Sequence, residues 1–194
     1  TFKRINIVLP NCSTVAGTTL TVPTLRGLAC GMVVDCTNVP AGTTIAAFLS
    51  ATTLRLSAAG TGVGSGLTAT FRVDAPDSEQ EITYLNLLRN PTVRCNISTA
   101  ADTTLQTGAG GGADLINYLI QPGWTITGPV AAGLAAGTYV ATVSTGLEDF
   151  TLSTATSGAT VSTHELVFSG GSLTSVGGSP PGPRMLAQNW MIKY

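Results

Sequence analysis

The sequence predicts an all-β protein. It reads as two tandem small β-sandwich or β-barrel modules from an internal duplication, followed by an extended C-terminal arm. Three observations carry this. Short segments rich in Thr, Val and Ile alternate apolar with polar residues, the period that sends successive strand side chains to opposite faces. Gly, Pro, Asn and Thr interrupt these segments every ~8–12 residues, a spacing typical of sandwiches and barrels. And one unit is written twice. Val39-Pro40-Ala41-Gly42-Thr43-Thr44-Ile45-Ala46-Ala47-Phe48, then Leu54-Arg55-Leu56-Ser57, returns as Leu134-Ala135-Ala136-Gly137-Thr138-Tyr139-Val140-Ala141-Thr142-Val143, then Phe150-Thr151-Leu152-Ser153.

Taken in order, Arg4 to Pro10 predicts a short strand stopped by Pro10 and Asn11, because Pro cannot donate to a ladder. A Ser/Thr-rich loop and a strand follow from Cys12 to Val22. Gly31 to Cys36 predicts a further strand, Asn38 to Gly42 a turn, and Thr44 to Ser57 a hairpin. Gly60 to Gly66 is a glycine-rich loop, and Leu67 to Val73 alternates as a half-buried strand. This closes a first module over 1–75. The acidic stretch 76–81 reads as a joint. A second module over 82–169 opens with Ile82 to Leu88 as the counterpart of Ile5 to Leu9. Gly123 to Thr127 matches Gly31 to Asp35, and Glu165 to Phe168 matches Thr68 to Phe71. The second copy carries a glycine-rich insertion, Gly108 to Ala113. Asp114 to Ile120 fits one helical turn or a strand. Residues 170–194 form a Gly/Ser/Pro linker and an apolar tail.

Composition narrows the function classes. Charged residues make up 10% of the 194-residue chain, against roughly 25% in ordinary soluble domains. So sparse a charge suits a surface covered by neighbouring molecules. The net charge is −1 and the nine basic residues form no run, so the electrostatic footprint of nucleic-acid binding is missing. No stretch is long and apolar enough for a membrane-spanning helix. The run Ile5 to Leu9 is too short for a signal peptide. The start at Thr1 is consistent with removal of an initiating Met from a protein made in the cytoplasm, or with a trimmed precursor.

Candidate sites are few. Cys12, Cys30, Cys36 and Cys95 lack zinc-ligand spacing and there is one histidine. They fit buried free thiols, with a Cys30–Cys36 clip or a cross-copy bridge as alternatives. Gly60 to Gly66 lacks the helix and the Gly-Lys-Ser/Thr that phosphate binding needs. His164 has no nucleophile elbow to serve. Asp74, Asp77, Glu79 and Glu81 lack the calcium-loop pattern. No cofactor, metal or catalytic residue is therefore expected. The two glycosylation-type triplets, Asn11-Cys12-Ser13 and Asn96-Ile97-Ser98, follow from the duplication. The tail is the informative non-repeat piece. Trp190, Met191, Ile192 and Tyr194 sit behind a stiff Pro-rich spacer and predict either an edge strand folded back on the second module or an arm that docks on a partner subunit.

The pattern Gly-x-x-(Val/Ile), then (Pro/Ala)-Ala-Gly-Thr-x-(Ile/Val)-Ala, then (Leu/Phe)-x-Leu-Ser spans Gly31 to Ser57 and Gly123 to Ser153. It resembles the tandem short β-repeats of tailed-bacteriophage virion structural proteins, of the head decoration, tail and fibre types. The resemblance implies a non-enzymatic virion protein made in the host cytoplasm. It points first to capsid decoration or cement, with a tail, neck or fibre component as the alternative. The partners it implies are the major capsid protein or other virion proteins, together with further copies of the chain in a homo-oligomer. It supplies no functional residues. Where a simple turn is expected, the first copy has Asp35-Cys36-Thr37. A second class of function is a glycan-binding, adhesin-like β-module, with Trp124, Tyr139 and Tyr118 as its exposed platform.

Overall fold

A computed structural model describes residues 4–107, 120–144 and 149–171. The glycine-rich insertion Gly108 to Ala113, Tyr118 and the tail residues Trp190, Met191, Ile192 and Tyr194 lie outside the described residues.

The described chain is almost wholly β. Its elements are β1 (Asn6–Thr14), β2 (Thr19–Thr21), β3 (Val33–Asp35), β4 (Ile45–Phe48), β5 (Thr53–Leu56), β6 (Gly64–Arg72), helix α1 (Gln80–Leu88), β7 (Thr92–Ile97), β8 (Thr104–Gln106), β9 (Thr125–Thr127), β10 (Val140–Val143), β11 (Asp149–Leu152) and β12 (Ser162–Ser169). All twelve described strands join one hydrogen-bonded sheet, running β10-β11-β8-β7-β4-β5-β2-β1-β6-β3, with β12 bridging β7 to β9.

The pairings of the first six strands recur in the last six. β1 pairs with β2 and β6, β2 with β5, β4 with β5, and β3 with β6. In the same way β7 pairs with β8 and β12, β8 with β11, β10 with β11, and β9 with β12. The register recurs too. Leu20 faces Leu54 as Leu105 faces Phe150, and Val34 faces Phe71 as Ile126 faces Phe168. The bulge between Ile45 and Ala47 reappears between Val140 and Thr142. Each set of six also returns to its start. Val33 bridges Thr44, and Thr125 bridges Tyr139. That closure removes the open edge that a lone sheet presents to water.

The repeated hairpin shows why the Ala-Gly-Thr sequence is used. Gly42 and Gly137 have φ of 77° and 80°, a left-handed conformation that costs glycine little. The following threonine is buried in both copies, and its hydroxyl satisfies itself locally. Thr43 Oγ1 donates to the Pro40 carbonyl at 2.7 Å and Thr138 Oγ1 to the Ala135 carbonyl at 2.8 Å. The closing serine does the same service twice. Ser57 Oγ accepts from the Thr44 amide at 2.9 Å and Ser153 Oγ from the Tyr139 amide at 3.0 Å.

The apolar alternation buries Leu20, Ile45, Phe48, Leu54, Leu56 and Phe71 on the first side, and Ile97, Leu105, Val140, Phe150, Leu166 and Phe168 on the second. Phe150 and Phe168 meet with ring centroids 5.0 Å apart, a separation favourable for tilted rings.

Two sequence expectations are corrected. Pro10 and Asn11 do not stop the first strand. β1 runs on to Thr14 through a register shift between Leu9 and Cys12, with Asn11 at φ 58°. A bulge places the proline where no ladder bond is needed. And Ile82 to Leu88 is not a strand but most of α1. Tyr84, Leu87 and Leu88 recur at helical spacing and pack against the core, Glu81 lies in the positive first turn, and the helix ends just ahead of Pro91. Gln80 is buried in its first turn, where its amide donates to the carbonyls of Val73 at 3.1 Å and Ala75 at 2.5 Å.

Candidate functional site

Among the described residues, Asp102 and His164 bond to the protein's own framework. Asp102 is buried after β7 and gathers four donors. Ser98 Oγ reaches it at 2.7 Å, and the amides of Ser98, Thr99 and Thr104 reach it at 3.0, 3.3 and 2.9 Å. Burial alone would raise its pKa. The hydrogen bonds to Ser98, Thr104 and Thr99 outweigh burial and hold the carboxyl below its ordinary range. His164 contacts the Thr160 carbonyl at 2.9 Å.

All four cysteines are free and buried. Burial raises the pKa of each, to about 11 for Cys30. Thiols so disfavoured from ionising are poor nucleophiles. No group of three or more His, Cys, Asp or Glu is arranged to hold a metal among the described residues. Nor is any described helix long and apolar enough to cross a membrane.

Where the two sets of strands meet, the contacts are specific. β4 leaves its own circuit at Phe48, which pairs in parallel with Val93 of β7. Beside this pair the Cys30 thiol faces the Thr92 carbonyl at 3.7 Å, and the Thr92 amide reaches the Cys30 sulfur at 3.4 Å. Arg55 and Glu165 close the junction as a two-pronged ion pair, with one N–H donating at 2.8 Å. The Glu165 bond holds the Arg55 guanidinium above its ordinary pKa. Leu87 of α1 lies over Gly31, where a Cβ would meet Leu87 Cδ2 at 2.7 Å.

The expected arm, Trp190, Met191, Ile192 and Tyr194, lies outside the described residues, but the chain leading to it is held. The Gly170 amide donates to the Arg89 carbonyl at 2.8 Å. The Arg89 guanidinium donates to the carbonyl of Gly171 at 2.9 Å and to that of Gly170. It also stacks 5.7 Å from the Trp124 ring centroid. A Cβ on Gly170 would meet that ring at 2.4 Å, so only glycine passes here.

Trp124 is thus no exposed platform. It is 6% exposed, packed under Arg89 and Gly170. Tyr139 is exposed, and Tyr118 lies outside the described residues. The junction pair and the Arg89 clamp are absent from the sequence reading. A signal was present for the first. Arg55 and Glu165 are charged where the matching positions of the repeated segments hold Thr151 and Thr68.

Comparison of the chain with protein-family models, with curated proteins and with solved structures finds no match in any of the three.

Proposed function

We propose that this chain is a non-enzymatic structural component of a tailed-phage particle. In this reading it is a capsid decoration or cement protein that works by covering surface on neighbouring virion subunits. The observation that carries it is how the reactive groups are used. Asp102, Arg55 and Glu165 bond to groups of the chain itself, Cys30 contacts Thr92 across the junction, and all four thiols are buried. The sparse charge and the repeated Ala-Gly-Thr strands favour the same reading. Association then stabilises the particle by burying apolar surface and by mass action.

The architecture in this proposal is two small β-barrel modules from an internal duplication, carried by β1 to β6 and by β7 to β12, joined through α1 and continued by the arm 170–194. The matching pairings, the matching bulge and the two ring-closing bridges support it.

The experiment is compositional and structural. Purified infectious particles of the encoding phage are expected to contain the chain in many copies, and a cryo-EM map should place it on the outer shell. Its absence from purified particles would overturn the reading, and density in the tail, neck or fibre would reassign its position. The arm is tested separately. A chain lacking 185–194 should bind undecorated particles more weakly, and unchanged binding removes the arm as the docking element.

A further inference from the structure

The junction inside this chain is built from two different surfaces, and each has a counterpart that forms no such junction among the described residues. One surface is the end of β4 with its flanks: Phe48, Cys30 and Arg55. The other is the start of β7 with β12: Thr92, Val93 and Glu165.

The strand pairings identify the counterparts. Phe48 faces Leu54 as Val143 faces Phe150. Cys30 precedes Gly31, whose amide donates to Ile45, as Pro122 precedes Gly123, whose amide donates to Val140. On the other surface, Val93 faces Leu166 as Leu9 faces Ala69. Val8 then stands for Thr92, and Ile7 for Pro91.

Burial follows the same division. At the junction Ala29, Cys30, Phe48, Pro91 and Val93 are buried. Their counterparts are less covered: Gln121 and Pro122 are exposed, Val143, Ile7 and Leu9 are half-buried, and Val8 is 58% exposed.

Resting on the duplication reading above, we infer that copies of this chain associate head to tail, the β10 end of one molecule meeting β1 of the next as β4 meets β7 within the chain. The chemistry of the copied contact is compatible. Pro122 against Val8 sets apolar on apolar where the junction has Cys30 against Thr92. The Arg55–Glu165 pair becomes Thr151 and Thr68, both exposed, so no charge is buried without a partner. A Cβ on Gly123 would meet nothing within 4 Å, so the approach is open there, whereas Leu87 covers Gly31. Because the two surfaces differ, the contact is heterologous and propagates into a ring or a filament.

The test is complementation, read by sedimentation velocity and light scattering on the full chain. Wild type is expected to grow in mass with concentration. Val8→Asp and Pro122→Glu, both at exposed positions, should each be folded by circular dichroism and monomeric. Mixed together they should give twice the monomer mass and nothing larger, because each retains the surface the other has lost. A wild type that stays monomeric overturns the inference, as does a symmetric dimer that neither variant breaks or a mixture that recovers nothing. If wild type is monomeric but a chain lacking 172–194 associates, its own tail occupies the surface and a second copy does not. The duplication reading is checked apart from this, by superposing residues 4–73 on 91–169 in an experimental structure. Monomers with superposable halves sink the association alone.

Discussion

Asp102 is the residue on which local chemistry is most concentrated. It stands near Thr156, whose amide donates to its carbonyl as Gly60 donates to Gly17 in the other copy. A glycine thus has as its counterpart a carboxylate that ties down a loop. Its pKa is lowered in the fold. Its stabilisation is therefore present above the unfolded value near pH ~4 and is lost as pH falls through the folded value. Asp102→Asn should cost about 1–3 kcal/mol at pH 7. In urea titrations the gap to wild type should narrow below pH ~4. A gap unchanged at low pH would show that charge is not the cause. Gly42 and Gly137 pose a cleaner question, since nothing lies within 4 Å of a Cβ at either. Alanine there should cost about 1 kcal/mol, nearly equally, through backbone strain alone. These glycines were legible because the turn demands them twice. Asp102 was not, since its donors are mostly backbone amides.

At the scale of elements, the strands were read well and the helix was not. Alternation marks β4, β5, β6 and β12 because one face of each is buried. Ile82-Thr83-Tyr84 has strand-forming residues, and local propensity is a weak prior that packing overrides. What makes α1 a helix is tertiary. Gln80 bonds to the chain leaving β6, and Tyr84 donates to the Gly27 carbonyl at 2.5 Å. Gln80→Ala should cost about 1–3 kcal/mol by leaving two carbonyls unsatisfied. Hydrogen exchange should then speed up first in 80–88. Protection retained there would mean that the helix is held by Leu87 and Leu88 instead. The bulge at Pro10 and Asn11 escaped notice for a related reason: a proline ends a ladder only if its position needs a bond.

For the whole molecule, the junction decides whether the two sets of strands melt together. Phe48 is 1% exposed and sits at the crossing. Phe48→Ala should cost about 3–5 kcal/mol and split a single thermal transition into two, followed by circular dichroism. A single transition at lower temperature would mean that coupling runs through α1 or the ion pair. The four thiols give a second reading of the same event. Folded protein should be silent to a thiol reagent, and unfolding should release four equivalents. A thiol that reacts in the folded chain would mark a local opening. The repeated hairpin was visible in the sequence. The contacts that join the two sets were not, because they are made where the copies differ.

In each set of six, the first and last strands are antiparallel neighbours. Asn6 lies opposite Arg72, and Thr92 lies opposite Val167. The chain therefore enters and leaves each set at one end of one ladder. Tension along the backbone would peel that ladder open a bond at a time, like a zip, instead of shearing many bonds together. Either set pulled by its own two ends is therefore expected to open at low force, which single-molecule stretching checks.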